Sequence, residues 1–375
     1  MAAISRLLVG CPQLMNDDFV ISGLDPSGGR TTLSQGGTTA DVSDTSIEAG
    51  GRAPGSATTQ GELGGVPSES SATGGAMPKG GAGSGGNTPN ASTCTTCDRC
   101  AEESLSEPSP ITSSEPLDGD WVLYSPSLSP DGLTLYFAAA SSSGSREQLV
   151  RATRTSLDSL EFSNVQLVFP NATDNRGTPF LSPDGLTLYF YSMQRGLVGD
   201  RDIWMMTKTS LDAEFSNMEL VPGGVNTPRL EHLPSLSPDQ LTIYYGTYST
   251  RPPENADIWR ATRASVTGAF ANPVAVTDLN SNYYEGRVAF TPDGSVVYFS
   301  SSRVMSDEPS QIDLWRATLS PDGGRFVNHV RVSDPGVNSA STETDVTLTA
   351  NGRELFFISN RSGKYWIYRS LRSCK

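Results

Sequence analysis

Aromatic residues are almost absent from the first third of the chain. Of the 30 Phe, Tyr and Trp residues, Phe19 is one and the other 29 lie from Trp121 onward. Residues 21–93 are rich in Gly, Ser, Thr and Pro instead. Such a segment has too little apolar surface to offset the entropy lost on ordering, so we predict a disordered tether over 21–93. The roughly 255 residues that remain are enough for one folded domain.

Long apolar runs, basic runs and catalytic motifs are also missing. No stretch approaches the ~20 apolar residues that span a bilayer. The net charge is −14 and no basic run occurs, so nucleic acid is not an expected partner. No Gly-x-Ser-x-Gly elbow is present, and His232 and His329 are the two histidines of the chain. A Ser-His-Asp triad or a His-rich metal site is therefore poorly supplied, and we expect neither a cofactor nor a metal.

The first 20 residues suggest a cellular address. Leu8-Val9-Gly10-Cys11 resembles the bacterial lipobox, in which the cysteine is lipidated and becomes the new N-terminus. Arg6 supplies a positive charge, while the apolar stretch before Cys11 is shorter than the usual 7–15 residues. The alternative is a short apolar start followed by an ordinary cysteine. The resemblance implies a lipid-anchored protein of the bacterial cell envelope, in the periplasm or at the outer membrane or cell surface, that contacts membrane only through its anchor.

The cysteines are consistent with an exported protein. The chain contains Cys11, a cluster of Cys94, Cys97 and Cys100, and Cys374 one residue before the end. If Cys11 carries lipid, an even number remains, and we predict two disulfides among the other four. A four-thiolate metal site built from the same residues is an alternative on spacing, and free thiols are a third.

A ten-residue phrase recurs through the second part of the chain. It is nearly identical at 128–137 and 181–190 and returns with drift at 236–245, 290–299 and 348–357. The turn residues Asp131, Asp184, Asp239, Asp293 and Asn351 are 53, 55, 54 and 58 residues apart. A fixed period of this size indicates one supersecondary unit repeated around a ring or along a stack.

Each unit is predicted to contain four short strands. Ser-Pro-Asp-Gly forms a tight turn between the first two, because Pro presets φ, Asp accepts backbone bonds and Gly takes positive φ. In the third unit Gln240 replaces the turn glycine, at a cost on the order of 1 kcal/mol. The third strands carry Trp204, Trp259 and Trp315, which we expect in the blade core. The fourth strands follow a second ladder, formed by Phe162, Phe215, Phe270 and Phe326. Ser320–Gly323 repeats the turn sequence out of phase, so it belongs to a different hairpin.

The pattern of Ser-Pro-Asp-Gly followed by Asp-Ile-Trp at 257–259 resembles the WD40-like PD40 repeats of the TolB propeller family. The resemblance covers residues 117–375 and implies an all-β fold, a β-propeller of four-stranded blades. Five repeats favour five blades. Six is the alternative, because TolB itself has six, shorter blades.

Counting strands predicts how the ring closes. Five sets of first, second and third strands are visible, but only four Phe-led fourth strands. The missing strand should therefore come from the segment 94–116, with Pro110–Ser113 as its core. Cys374 would then lie near the Cys94–Cys100 cluster, where a disulfide would contribute about 2–4 kcal/mol.

Polar residues recur on the first strands, which line the central channel of a propeller. Eight positions before the turn residue stand Glu231, Glu285 and Glu343, with Arg176 and Leu123 in the other two units. One interpretation is a polar ligand or cation site at one channel mouth, and the other is hydrogen bonding between blades. Arginines such as Arg303 and aspartates such as Asp313 also recur, which suggests pairs across a hairpin. The candidate binding residues are Glu231, His232, Glu285, Arg287, Glu343, Asp345 and Arg176.

Two function classes follow, together with a purely structural surface lipoprotein as a third. The favoured one is a binding or scaffolding module without catalysis, a monomer that presents its loops to an envelope protein or polysaccharide. The alternative is a carbohydrate-active enzyme, a glycosidase or lyase, that uses the channel carboxylates.

Overall fold

The computed structural model describes residues 103–113, 121–141, 146–194, 199–248, 256–304 and 311–374. Cys11, the segment 21–93 and the Cys94–Cys100 cluster lie outside the described residues. The side chain of Cys374 is not described either. None of the residues described forms a helix that could cross a membrane.

The described residues form 22 strands, and none of them is helical. In chain order the strands are β1 (Glu103–Leu105), β2 (Ser109–Pro110), β3 (Thr112–Ser113), β4 (Trp121–Leu128), β5 (Thr134–Ser141), β6 (Gln148–Thr153), β7 (Glu161–Leu167), β8 (Arg176–Leu181), β9 (Thr187–Ser192), β10 (Asp202–Thr207), β11 (Ser216–Leu220), β12 (Glu231–Leu236), β13 (Thr242–Tyr248), β14 (Ala256–Thr262), β15 (Ala271–Ala275), β16 (Glu285–Phe290), β17 (Val296–Ser301), β18 (Asp313–Leu319), β19 (Phe326–Arg331), β20 (Glu343–Leu348), β21 (Glu354–Ser359) and β22 (Trp366–Cys374).

Four consecutive antiparallel strands make each of blades one to four, which are β4–β7, β8–β11, β12–β15 and β16–β19. Blade five contains β20, β21 and β22, with β1 on its outer edge. The first strands of neighbouring blades contact one another, so they are innermost and surround the channel. The five-bladed propeller is confirmed, and the six-bladed alternative is wrong.

The apolar core is divided into five clusters, and each cluster lies between two neighbouring blades. Phe270 joins the cluster between blades two and three, and Phe326 joins the next one. Trp204 and Trp315 are buried, while Trp259 packs partly buried against its cluster. The Phe and Trp residues that recur on the third and fourth strands therefore pack neighbouring blades against each other.

The ring closes through the segment that precedes the first blade. β1 pairs antiparallel with β22, placing Glu103 opposite Cys374, and β2 pairs with β22 further along. β3 instead pairs in parallel with β7 of blade one. The expected strand core at Pro110–Ser113 is therefore right in its first half, because Pro110 pairs with Tyr368 and the backbone N–H of Ile111 donates to Ile367, and wrong in its second half. The nine residues of β22 also offer a long edge, which β1 joins further upstream.

Glu103 ties this closing strand to two blades. Its carboxylate accepts hydrogen bonds from the Tyr298 hydroxyl at 2.6 Å, from Arg372 at 2.7 Å and from Arg316 at 2.5 Å. Tyr298 and Arg316 lie in blade four, whereas Arg372 lies in blade five. Burial raises the pKa of Glu103, but the hydrogen bond from Tyr298 and the two arginines more than offset this, so its pKa lies below the ordinary value.

The five turns form a continuous ring. Gly185 of blade two and Gly352 of blade five have positive φ and lie against prolines of the preceding turns, Pro130 and Pro292. Gln240 also has positive φ, at 60°, as the sequence predicted. Its side-chain amide donates to Asp184 of the neighbouring turn at 3.1 Å.

Replacing Glu103 by Gln should destabilise the closed ring. The variant leaves Arg372 and Arg316 without their carboxylate, so we expect the free energy of unfolding at neutral pH to fall by about 2 kcal/mol. Because the folded-state pKa of Glu103 lies below the unfolded one, its contribution is present above the unfolded pKa. The contribution is lost as the pH falls through the folded pKa, so the difference between the two proteins should shrink in acid. Urea titrations measure this, with the exposed Glu107→Gln in the same segment as control. An equal loss in both variants would contradict the role of Glu103.

Replacing Gln240 by Gly should stabilise the protein, because the left-handed conformation is costly for a residue with a side chain. We expect a gain of about 0.5–1 kcal/mol in the free energy of unfolding after the loss of the exposed bond to Asp184. The matched control is Gly294→Gln, where an added Cβ meets only ordinary contacts and φ is +71°. It should lose a similar amount. A neutral result in both variants would show that positive φ costs little in these turns.

Candidate functional site

The three periodic glutamates belong to a repeated connection between blades. In each case a buried aliphatic residue precedes Asn, then Ser or Thr, and Glu follows four positions after that hydroxyl residue. We call the Asn, the Ser or Thr and the Glu the inter-blade clamp. The clamps are Asn226-Thr227 with Glu231, Asn280-Ser281 with Glu285, and Asn338-Ser339 with Glu343.

The asparagine side chain of each clamp binds the preceding blade. Asn280 accepts from the backbone N–H of Ile258 at 2.8 Å and donates to the carbonyl of the same residue at 3.0 Å. Asn226 makes the same pair of bonds to Ile203 and Asn338 to Leu314. These residues lie on the third strands β10, β14 and β18, so every clamp begins on the blade before it.

The glutamate then fixes the clamp to the next blade. Glu285 accepts from the backbone N–H of Ser281 at 2.8 Å, from the Ser281 hydroxyl, from Ser301 at 2.8 Å and from Arg303 at 3.3 Å. Burial raises the pKa of Glu285, and these donors oppose that effect. Its side chain is 0% exposed. Every donor belongs to its own blade or to the clamp, so no carboxylate oxygen is presented to the channel.

Glu343 repeats this arrangement in blade five. It accepts from the backbone N–H and hydroxyl of Ser339 at 2.9 and 2.7 Å, from Ser359 at 2.8 Å and from Arg361 at 3.1 Å. The predicted arginine–aspartate pair is therefore wrong for Arg303 and Asp313. Arg303 and Arg361 bind the clamp glutamates, and Asp313 pairs with Arg331 instead. Each arginine follows the end of a second strand, where it reaches the buried glutamate of its own blade.

Glu231 is the exception among the clamp glutamates. It accepts from the backbone N–H and hydroxyl of Thr227. Thr247 occupies the position of Ser301 and Ser359, but its hydroxyl makes no hydrogen bond within the described part of the chain. Burial is then less well offset and raises the pKa of Glu231 to about 7.

Arg176 stands at the glutamate position of blade two. Its guanidinium binds the Asp174 carboxylate at 3.0 and 3.1 Å and lies over the ring of Phe169. Asp174 also accepts from Ser192, as the glutamates accept from their serines. Blade two thus supplies its carboxylate two positions earlier. Leu123 of blade one is fully buried in an apolar cluster.

Arg287 and Asp345 lie at the centre of the channel. Each first strand has a register shift here, with positive φ at Ser125, Thr178, Leu233 and Asp345. Asp345 accepts from the backbone N–H and hydroxyl of Ser125 at 3.1 and 2.6 Å. Burial raises the pKa of Asp345 above its ordinary value, against the effect of Ser125 and the Arg287 charge.

The Arg287 side chain obstructs the channel. It starts in blade four and donates to the carbonyl of Pro179 in blade two, so it passes across the axis. Burial lowers its pKa to about 10, and the charge of Asp345 opposes this shift. Nη1 has no hydrogen-bond partner among the residues described.

His232 is a core residue. Its ring stacks on Tyr248 with centroids 4.8 Å apart, and Nδ1 lies 3.2 Å from the carbonyl of Gly246. A Cβ at Gly246 would lie 2.8 Å from the imidazole, so this position needs glycine. Burial, with the nearby Arg201, lowers the pKa of His232 to about 3, which keeps the ring neutral.

The candidate residues do not gather into one open site. The carboxylates of the three glutamates are hydrogen-bonded within the clamps. Arg287 and Asp345 pack at the channel centre, and His232 and Arg176 make contacts elsewhere. No group of three or more metal-ligating side chains occurs within the described ranges.

An open cavity lies instead at the opposite end of the first strands, where the five turns meet. Its volume is about 260 Å³, and none of the residues that line it is charged. The sequence-based prediction did not include these residues, although a proline in four of the five turns was a visible signal. The cavity is lined by Ser127, Leu128, Pro130, Phe180, Leu181, Ser182, Pro183, Ser235, Leu236, Pro238, Val288, Ala289, Phe290, Thr291, Pro292, Thr347, Leu348, Thr349 and Ala350.

The solved structures to which this chain is similar have names that refer to different activities. No protein-family model matches the chain, and no curated protein matches it. A protein assigned as TolB from Agrobacterium tumefaciens is 20% identical, with 64% of this chain and 70% of that chain covered and a TM-score of 0.40. The catalytic domain of a GH62 α-L-arabinofuranosidase from Coprinopsis cinerea is 12% identical, with 72% and 99% covered and a TM-score of 0.47.

An oligogalacturonate lyase from Vibrio parahaemolyticus is 14% identical, with 68% of this chain and 67% of that chain covered and a TM-score of 0.35. With TM-scores of 0.35 to 0.47, these likenesses identify no activity for this chain.

Glu231 should make stability fall as the pH rises. Its pKa is raised to about 7 in the folded state, so its favourable contribution is full below the unfolded pKa and is lost as the pH rises through about 7. Glu231→Gln cannot ionise, so the variant should gain stability relative to the wild type between about pH 5 and pH 8. Chemical denaturation across this range measures the difference. A difference that does not change with pH would contradict the raised pKa.

Proposed function

We propose that this protein is an envelope-anchored β-propeller that binds or scaffolds a protein or polymer and carries out no catalysis. The single observation behind this proposal is the state of the periodic carboxylates. Glu285 and Glu343 each accept from one backbone N–H, two hydroxyls and one arginine, and both are wholly buried.

A glycosidase needs two carboxyl groups that reach the scissile bond, about 5–10 Å apart, with one able to donate a proton to substrate. Clamp glutamates are held by groups of the protein itself and have no surface left for a sugar. Glu231 has a pKa in a range useful for acid catalysis, yet it is only 1% exposed and bonded to Thr227. These features favour a structural role for the carboxylates and leave the loops as the surface for recognition.

Anchoring to the envelope rests on the sequence alone. Cys11 would carry the lipid, and the segment 21–93 would separate the propeller from the membrane surface. A flexible chain of that length spans roughly 45–50 Å on average. Such a spacing would let the propeller reach a partner in the envelope. The expected partner is a protein or a polysaccharide, with no cofactor involved.

The full chain tests this proposal in two assays. Purified protein should release no reducing ends or unsaturated sugars from arabinan, arabinoxylan or polygalacturonate. The immobilised chain should retain one protein or polysaccharide of the envelope saturably, and the purified pair should re-form the complex. Sugar release by the wild type that is lost in Glu285→Gln, with the melting temperature kept, would overturn the proposal in favour of an enzyme. Absence of any saturable partner would also count against it.

A further inference from the structure

The cavity at the turn end of the channel has the form of a built site, and it rests on no residue of the clamps. Its wall repeats around the five blades. The inner level consists of Ser127, Phe180, Ser235, Ala289 and Thr347, and the rim of four prolines and Ala350. An apolar wall with few polar groups is typical of ligand pockets. A volume of 260 Å³ lies just below the roughly 300–1,000 Å³ of small-molecule sites, which suits one anchor side chain of a partner.

One buried hydroxyl in the wall has no hydrogen-bond partner in the described part of the chain. Ser235 is 1% exposed, and its Oγ makes no hydrogen bond within the described ranges. The equivalent Ser127 differs, since its hydroxyl accepts from the backbone N–H of Leu181 at 2.8 Å. A buried hydroxyl without a partner is costly, and replacing Ser127 or Ser235 changes the wall without touching the clamps.

The floor of the cavity is solid. Arg287 bonds to the carbonyl of Pro179, and its guanidinium carbon lies 5.7 Å from the ring centroid of Phe180, which lines the cavity. An occupant therefore enters from the turn side and stops within the channel.

The rim is acidic. Four exposed carboxylates, Asp131, Asp184, Asp239 and Asp293, directly follow the four rim prolines. The hydrogen bonds to Asp131 and Asp239 are made to Oδ1 by groups of their own turns. Burial raises the pKa values of Asp184 and Asp293, but hydroxyl and backbone donors more than offset it and lower both.

Three basic side chains near the turns face other groups, while Arg353 in the turn of blade five is exposed. Arg154 pairs with Glu354, and Arg372 pairs with Glu103. Arg263 lies over the ring of Phe270 and donates to the carbonyl of Gln240. The apolar cavity is thus bordered by the negative charges of four aspartates.

We propose that the turn-side mouth binds a partner protein through one apolar side chain, inserted into the cavity and flanked by lysine or arginine. The inserted group packs against the prolines and leucines of the cavity wall. The flanking cations face the four aspartates. This inference rests on the proposed binding function and names the partner's chemistry.

Asn351 shows how the negative charge of the rim can be removed while the turns are kept. Asn351 stands at the turn position of blade five and makes the same bonds as the aspartates, from Thr349 at 2.8 Å and from the N–H of Arg353 at 3.0 Å. Changing Asp131, Asp184, Asp239 and Asp293 to Asn therefore keeps the turns. The matched control is Asp322→Asn in the Ser320–Gly323 turn, which has the same local bonds but lies between β18 and β19, away from the cavity lining.

Binding of defined peptides to the full chain tests the site. The probe has one Trp between two pairs of lysines, and the comparison peptides replace Trp by Ala or the lysines by Glu. We expect only the first peptide to bind. Its affinity should fall about tenfold or more in the four-Asn variant and should also fall with rising salt. The affinity should be unchanged in Asp322→Asn. Ser235→Leu should abolish binding by filling the cavity, with melting temperature reporting the fold.

Equal binding of the Ala peptide would overturn the proposal, because electrostatic attraction alone would then explain the binding. Tighter binding of free indole than of the peptide would overturn it in favour of a small molecule. Saturable retention of an envelope partner that is unaffected by the four-Asn variant and Ser235→Leu would overturn this site while the binding function stands. Loss of that retention in both variants, but not in Asp322→Asn, would support the site.

Discussion

The unpaired edge of β22 is the constraint on which the rest of the ring depends. Four of the blades are made from consecutive strands, whereas the fifth has only three of its own. An exposed strand edge invites pairing with other chains, and a propeller removes the edge only if a remote segment completes the last sheet. β1 does this, and Glu103 connects it to an arginine of the same blade and to two residues of the blade before. Closure is therefore secured by backbone pairing and by a partly buried charge cluster together.

A second requirement is that each blade must be held at a defined position relative to the next. Apolar clusters between blades provide most of the burial, but they have no direction. The inter-blade clamps add direction, because one asparagine satisfies both backbone groups of a residue on the preceding blade and the next residue binds the following glutamate. This arrangement explains why carboxylates recur near the channel without forming a site. Their periodicity reflects the joints of the ring.

Much of the fold could be predicted because the repeat is local. Turn chemistry and the phenylalanine ladder depend on neighbouring residues, and the structure agrees with both. The second strands, in contrast, are buried on both faces and show no alternation. The inter-blade interpretation of the glutamates was available as an alternative to a ligand site. The Asn-Ser/Thr pair four to five residues before each glutamate would have favoured it further, yet only the contacts to Ile258 and its equivalents show what the pair does.

What lay beyond prediction depended on distances between segments remote in sequence. Arg303 was expected to pair with Asp313 across a hairpin, but a buried glutamate on the innermost strand lies nearer. The closing edge extends upstream of the expected core as far as β1, because the length of β22 could not be read from the repeat.

The sequence by itself determined a ring of four-stranded units, the residues of each turn and the need for a strand from elsewhere, because period, turn type and strand count are properties of short segments. Only the tertiary structure decided which polar groups have hydrogen-bond partners and which do not. Glu285 accepts hydrogen bonds from three other residues, while the Ser235 hydroxyl has no partner among the residues that the structure describes. The cavity at the turns is likewise a product of five chain segments meeting, so no single segment could reveal it.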